Sequence, residues 1–234
     1  MRVAAYCGTR AIYGDMETSA KSLVGTTDVD RVYLVIEDAE FPNPLPPIVE
    51  CIDMSGQTFF RPDGPNMKSR YTWMAMMRIA LCHVLPQDVD RVLSLDADTI
   101  FNRDASAVWE LPIEDCYLAA TPEWHRSEHG LQYCNFGVVL YNLAKLRDGK
   151  ADECIEVLNR HYFEWVEQDV GNYLCQGRIC EMPTRYNSNY WTDRDAPDPT
   201  IKHYAGVKRP KWINRMEVAR WRNIPWEEVL ALHG

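Results

Sequence analysis

Two aspartates one residue apart close an apolar run in "RVLSLDADTIF", Arg91 to Phe101. Read as a continuing strand, Asp96 and Asp98 share parity and point to one face. Two carboxylates side by side repel, and one would take up a proton unless a cation sat between them. A divalent ion with hard oxygen ligands, Mn²⁺ or Mg²⁺, resolves that conflict. The bland alternative is a turn with solvated acids, and Asp-X-Asp alone does not separate the two. The apolar strand before it favours the metal, because α/β sheets bind ligands at strand carboxyl ends.

Four further stretches carry side chains fit for the same chemistry. In "AMMRIAL", Arg78 interrupts a segment that is apolar on nearly every side, where a charge needs a partner such as a carboxylate or a phosphate. In "YCNFGVVLYNL", Asn135 can orient a ligand hydroxyl and Gly137 allows close backbone approach. In "VEQDVGNYLCQGRI", Glu167, Gln168 and Asp169 interrupt an otherwise amphipathic helix; a solvated polar face is the commoner fate of such a triplet. In "IKHYAGVKRPKW", His203 leads into a glycine turn at Gly206 with Lys208 and Arg209 behind it. A histidine can complete a site begun by two aspartates, and the basic residues can neutralise a diphosphate.

These residues need elements to position them. "RVAAYC" (Arg2–Cys7) and "RVYLVIE" (Arg31–Glu37) read as buried strands around the helical "METSAKSLVG". Strand, helix, strand is the parallel-sheet unit. A stretch with six prolines, Asp38 to Asn66, is expected to be mostly loop with a short strand near Ile52. "KSRYTWMAMMRIALCHVL" is expected as a helix, followed by the strand "DRVLSLDAD". "CYLAATPE" and "FGVVLYN" read as strands, Asp152 to Cys175 as helical, and "IPWEEVLALHG" as a short helix opened by Pro225 and closed by Gly234. The expected fold class is α/β.

Composition narrows the function classes. The 234 residues are 46% hydrophobic, 25% charged and 11% aromatic, which suits one large domain. A net charge of -9 argues against a broad nucleic-acid surface. From Lys202 to Arg222, however, seven basic residues face one acid, Glu217, which suits an anionic ligand. The eight cysteines are scattered without a CxxC pair and read as reduced thiols in a cytoplasmic protein. No apolar run is long enough to cross a membrane.

In this order the pieces resemble the retaining glycosyltransferases of family 8, the group of glycogenin and the bacterial lipopolysaccharide galactosyl- and glucosyltransferases. Members look like "YYRL…LP…DKVLYLDADT", "FNSGV…LIN", "DQD…N" and "HYxGxxKPW". This chain has "MMRI…LP…DRVLSLDADT", "CNFGVVLYN", "EQDVGN" and "HYAGVKRPKW", from about Lys68 to Trp212 and more weakly back to Met1. The resemblance implies a single-domain GT-A nucleotide-sugar-binding fold over 1–234, a Rossmann-like, mostly parallel central sheet flanked by helices, with a short helical tail at about 213–234. It implies metal-dependent, retaining transfer of glucose or galactose from UDP-glucose or UDP-galactose to a carbohydrate, lipid-linked glycan or protein acceptor. Mn²⁺, or Mg²⁺, would be held by Asp96, Asp98 and His203. Arg78, Asp96, Ala97, Asn135, Gly137, Asp169 and Gly206 with Lys208 or Arg209 would bind the donor. Gln168, Glu167 and Asp98 would sit at the reacting centre.

Three departures qualify the match. Glu167 stands where the family has aspartate, so one extra methylene bears on donor-sugar identity. Both Lys208 and Arg209 fall near the family's clamp lysine. "AYCGTRAIYGD" replaces the acidic-Asn-Tyr base-binding stretch, which leaves the backbone near Ala5 and the ring of Tyr6 or Tyr13 to hold the uracil. Two rival readings stand beside the transferase. One is a haloacid dehalogenase-like phosphatase using Asp96-Ala97-Asp98-Thr99, which would need a Gly-Asp pair downstream that this chain lacks. The other is a nucleotide-sugar-binding protein without transfer activity. The tail with Trp221 and Trp226 reads as a helix packed on the domain, with peripheral membrane contact as the lesser alternative.

Overall fold

The computed structural model describes residues 1–124, 132–193 and 198–233. The residue expected to close the last helix, Gly234, lies outside them. Nine strands are present among the described residues: β1 (Val3–Gly8), β2 (Arg31–Ile36), β3 (Val49–Asp53), β4 (Arg91–Leu95), β5 (Thr99–Phe101), β6 (Leu118–Pro122), β7 (Cys134–Asn142), β8 (Ile179–Glu181) and β9 (Ile201–His203). Seven of them form one sheet in the order β3-β2-β1-β4-β7-β6-β8, and β5 pairs with β9 in a second, two-stranded sheet. The first four strands of the large sheet run parallel to one another. β7 runs antiparallel to both β4 and β6, and β8 is parallel to β6. The expected α/β class and mostly parallel sheet are what the structure has.

The order 3-2-1-4 reverses direction at β1, so the carboxyl ends of β1 and β4 border the crevice where such sheets take ligands. The antiparallel β7 matters as much. Its start lies at the carboxyl end of β4, where Leu95 pairs with Val138 and the Asp96 amide donates to the Gly137 carbonyl at 2.7 Å. Asn135 and Gly137 therefore meet the aspartates although they open their strand rather than end it.

Alternation along β1 divides the core. Ala4 and Tyr6 face one layer, Val3 and Ala5 the other. The first layer holds helix α1 (Tyr13–Val24). The second holds α2 (Trp73–Met76), α3 (Leu81–Val84), α5 (Ala151–Arg160) and α6 (Val166–Leu174), with the short α4 (Leu143–Lys145), capped by Asn142, between sheet and α5. The chain ends in α7 (Arg209–Trp212), α8 (Met216–Asn223) and α9 (Trp226–Leu230). The last two pack on α1: Trp221 and Trp226 are buried, and the Trp226 indole donates to Glu17 at 3.1 Å. The tail's tryptophans are thus spent inside the protein. No helix among the described residues is long and apolar enough to cross a membrane.

Three expectations need correction. The helix expected over 68–85 starts at Trp73 and tightens between α2 and α3, where the amides of Arg78, Ile79 and Ala80 bond to carbonyls three residues back. The helix expected over Asp152 to Cys175 breaks between Arg160 and Val166, because the Asn66 amide takes the carbonyls of Leu158 and His161 and its oxygen takes the amide of Phe163. Not all cysteines are thiols: Cys116 and Cys180 are disulfide-bonded, and six are free. The parallel pairing of β6 with β8 brings these two together, which spacing along the chain could not reveal.

Candidate active site

Asp96 and Asp98 lie just past the end of β4, in the tight turn to β5, and not on the strand itself. The turn is propped from beneath. The Thr99 hydroxyl donates to the Asp96 carbonyl at 2.8 Å, and Ser19 links Thr99 to Tyr6 at 2.9 and 2.8 Å. β5 then pairs antiparallel with β9, setting Thr99 opposite His203. The imidazole Nε2 comes to 3.4 Å from Asp96 and 3.2 Å from Asp98. One ligand atom from each of the three residues lies within 4.8 Å of the others, a set that could hold a metal ion.

The surroundings fit that role. His203 Nδ1 lies 2.8 Å from the Asn187 side-chain oxygen, and Asn187 and Asn189 form an amide chain that continues to Asn135. In the neutral ring, a proton on Nδ1 directed to Asn187 turns the Nε2 lone pair to the aspartates, the arrangement that orients a metal-binding histidine. Burial opposes charge on the ring, but Asp98 and Asp96 outweigh it and push His203 up to about 9. Two carboxylates here demand a cation, which is the conflict posed by the sequence.

Arg78 supplies the second positive group. It is 3% exposed, and its guanidinium spans three elements and the aspartate turn: Ser94 of β4 at 3.0 Å, Asp96 at 2.7 Å, Glu167 of α6 at 3.4 Å, and the Phe136 carbonyl of β7. Burial would raise the Asp96 carboxyl, but Arg78 and His203 hold it below the usual range. Glu167 goes the other way. Burial pushes its carboxyl up to about 8 against the pull of Arg78, and Asp96 adds to the rise.

That shift has a sign. A carboxyl raised on folding gives stability that is fully present below its unfolded value of about 4.5 and lost as pH rises through about 8. Wild type is therefore expected to lose stability relative to Glu167→Gln, a permanently neutral isostere, across that window and then level off. The loss should be on the order of a few kcal/mol. Urea unfolding of both proteins at a series of pH values measures it; a constant difference would mean that Glu167 is ionised throughout.

Gln168 and Asn135 face the same cleft from α6 and β7. The β6–β7 register shifts between Ala120 and Thr121, and side chains take up the amides near this break. Gln168 Oε1 accepts from the Phe136 amide at 2.9 Å, and Asn135 Oδ1 accepts from the Gly137 amide at 3.1 Å. Glu123, at the end of β6, accepts from the amide groups of Asn135 at 2.9 Å and Gln168 at 3.5 Å. All three line a cleft of about 730 Å³ together with Arg78, Asp96, Ala97, Asp98, Glu167, His203, Gly206 and Arg209.

Other expected residues sit elsewhere. Gly137 is behind the histidine: a Cβ there would lie 1.9 Å from His203 Cε1, so only glycine leaves room for the ring. Gly137→Ala is expected to displace the imidazole and weaken metal binding by about 10–100-fold. A manganese titration followed by electron paramagnetic resonance checks this, and unchanged affinity would mean the ring is not needed there. Asp169 accepts from Tyr133 at 2.5 Å and from the Trp165 amide at 2.8 Å, and it is not among the residues that line the cleft. Lys208 is exposed and off the cleft lining. Ala5 and Tyr6 are fully buried on opposite faces of β1, and Tyr13 is buried with its hydroxyl on Asp38. None of these three lines the cleft; Cys7, Thr9 and Ile12 do. The sequence reading missed Ser94, Glu123, Asn187 and Asn189. The amide-rich "YNSNYW" was the signal for the last two.

A family model described as glycosyl transferase family 8 matches residues 41–212. The chain is 27% identical over 184 residues to a lipopolysaccharide 1,2-glucosyltransferase of Escherichia coli (strain K12), a match covering 64% of this chain and 54% of that protein. It is 25% identical over 256 aligned positions to glycosyltransferase GlyE of Streptococcus pneumoniae serotype 4, covering 98% of this chain and 61% of that one. The chain spans about half the length of the curated relatives it matches. Galactosyltransferase LgtC, solved with donor and acceptor sugar analogues, superposes with a TM-score of 0.70 at 20% identity, covering 98% of this chain and all of that one. The GlyE structure superposes with a TM-score of 0.72 at 20% identity, covering 98% of this chain and 62% of that chain. These two likenesses are of fold.

Proposed function

The chain belongs to glycosyl transferase family 8, and from that premise we propose that it is a metal-dependent, retaining hexosyltransferase. It would move glucose or galactose from a UDP-sugar to a carbohydrate, lipid-linked glycan or protein acceptor, with residues 1–234 acting as one cytoplasmic GT-A domain. The observation that carries this reading is the meeting of Asp96, Asp98 and His203 in a cleft that Asn135, Glu167 and Gln168 also line. Manganese, or magnesium, suits two carboxylates and an imidazole, and when bound it offsets the charge that builds on a leaving diphosphate.

The residues divide the work. His203 and the aspartates hold the metal, and Arg78 fixes Asp96 and Glu167. Asn135, Glu167 and Gln168 are the groups placed to orient the transferred sugar. Retention by a covalent route needs a carboxylate free to attack. Glu167 is engaged by Arg78, Glu123 by the side-chain amides of Asn135 and Gln168, and Gln168 is an amide whose oxygen already accepts from the Phe136 amide. This supports a same-face reaction. The bond from the anomeric carbon to the phosphate oxygen breaks, the acceptor oxygen bonds to that carbon, and its proton passes to the leaving phosphate. Family membership leaves the phosphatase reading of Asp96 and Asp98 without support.

Incubation with UDP-glucose and UDP-galactose in the presence of Mn²⁺ should release UDP, slowly by hydrolysis without acceptor and faster with one. Intact mass after incubation reports any transfer to the protein's own side chains. Tight UDP binding without release at any metal concentration would favour a binding protein. Neither binding nor release with any UDP-sugar would overturn the proposal.

A further inference from the structure

Arg209, expected as a diphosphate contact, is already engaged. Its Nε and Nη2 both donate to the Asp15 carboxylate, at 2.7 Å each. Asp15 lies in the first turn of α1 and is 4% exposed. Both residues line the cleft, so the pair ties the α1 wall to the segment that follows His203. That segment is anchored at its two ends. The Tyr204 amide donates to the Asp98 carbonyl at 2.9 Å, and the Tyr204 ring stacks on Trp212 with centroids 5.4 Å apart. Between these anchors Gly206 takes a φ of +73°, and Gly206, Val207 and Lys208 are exposed. Among the described residues, Asp15 is the side chain that grips this turn from across the cleft. The grip needs a guanidinium fork; an ammonium is a point charge and cannot reproduce two parallel bonds. Nη1 makes no bond within the described residues, so the paired arginine still has a donor to offer.

We propose that Asp15 is a positioning residue for the donor diphosphate: it fixes Arg209, and with it the Ala205–Arg209 turn, leaving the remaining guanidinium nitrogen for the phosphates. The inference rests on the reading of the cleft as a nucleotide-sugar site. It also makes Arg209, which lines the cleft, rather than Lys208, which does not, the cation that meets the donor, and it makes arginine at 209 non-exchangeable with lysine.

The test compares wild type, Asp15→Asn, Arg209→Lys and the double variant by calorimetric titration with UDP at saturating Mn²⁺, and by hydrogen exchange of the 204–210 segment without nucleotide. Either single substitution is expected to weaken UDP binding by about 10–100-fold. The double variant should be no weaker than the worse single, because one coupled unit is broken each time. Exchange of the segment should quicken in both singles, while Mn²⁺ binding alone stays at the wild-type value. With turnover, kcat/KM for the donor should fall by at least the factor lost in UDP binding. Wild-type UDP affinity in Asp15→Asn, or in Arg209→Lys, overturns the proposal. If the wild type binds no UDP, the reading of the cleft falls with it; unchanged exchange in Asp15→Asn overturns the positioning role in either case. Should Asp15→Asn fail to fold, Arg209→Lys carries the same comparison from the exposed partner.

Discussion

Asp98→Ala is expected to lower metal-dependent sugar transfer by about 10³-fold or more while the protein stays folded. The size follows from the proposed reading, in which Asp98 is one of three metal-holding side chains beside a leaving diphosphate; about 4 kcal/mol of transition-state stabilisation corresponds to that factor. The fold should tolerate the change. The Asp98 side chain is about a third exposed and reaches His203 at 3.2 Å, whereas its backbone carbonyl, kept in the variant, receives the Tyr204 amide. The measurement is turnover with a UDP-sugar and Mn²⁺ beside a thermal melt and a manganese titration. Full activity in the variant would refute the three-residue seat.

Arg78→Met should damage both the fold and the site. Methionine keeps much of the volume and removes the charge. It leaves Glu167, 7% exposed, and Asp96 without the guanidinium that lies between them, and it strips Ser94 and the Phe136 carbonyl of their donor. Breaking a buried pair from one side costs about 3–5 kcal/mol. For a chain of this size that lowers the melting temperature by roughly 10 °C. Adding Glu167→Gln removes one of the stranded carboxyls and should restore part of the loss. Arg78→Lys should rescue poorly, since a single ammonium cannot bond to β4, the aspartate turn, β7 and α6 together. Wild-type melting and wild-type metal affinity in Arg78→Met would show that the guanidinium is not the hub of the site.

Much of this was legible in the order of residues, for reasons that can be named. Apolar runs of strand length alternating with helical spacing mark an α/β sheet, because side-chain periodicity is a local property of the backbone. Adjacent acids after such a run, and an arginine inside a greasy helix, are each costly unless partnered, so their chemistry shows before the partners do. Three motifs downstream completed a constellation that no single one could support.

The rest is long-range. The sequence by itself determined which side chains had to find opposite charge: Asp96, Asp98, Arg78 and the basic stretch after His203. Only the tertiary structure decided how they did so. The antiparallel direction of β7 brings Asn135 and Gly137 to the aspartates, and β5–β9 pairing brings in His203. Strand direction and register are set by contacts between distant segments, and a reversal or slip would move each of these groups to another place without altering any local pattern. The same holds for Tyr6, whose parity along β1 turns it toward Ser19 and away from the cleft, for the amide chain from His203 through Asn187, and for Asp15, whose partner at Arg209 lies near the other end of the chain.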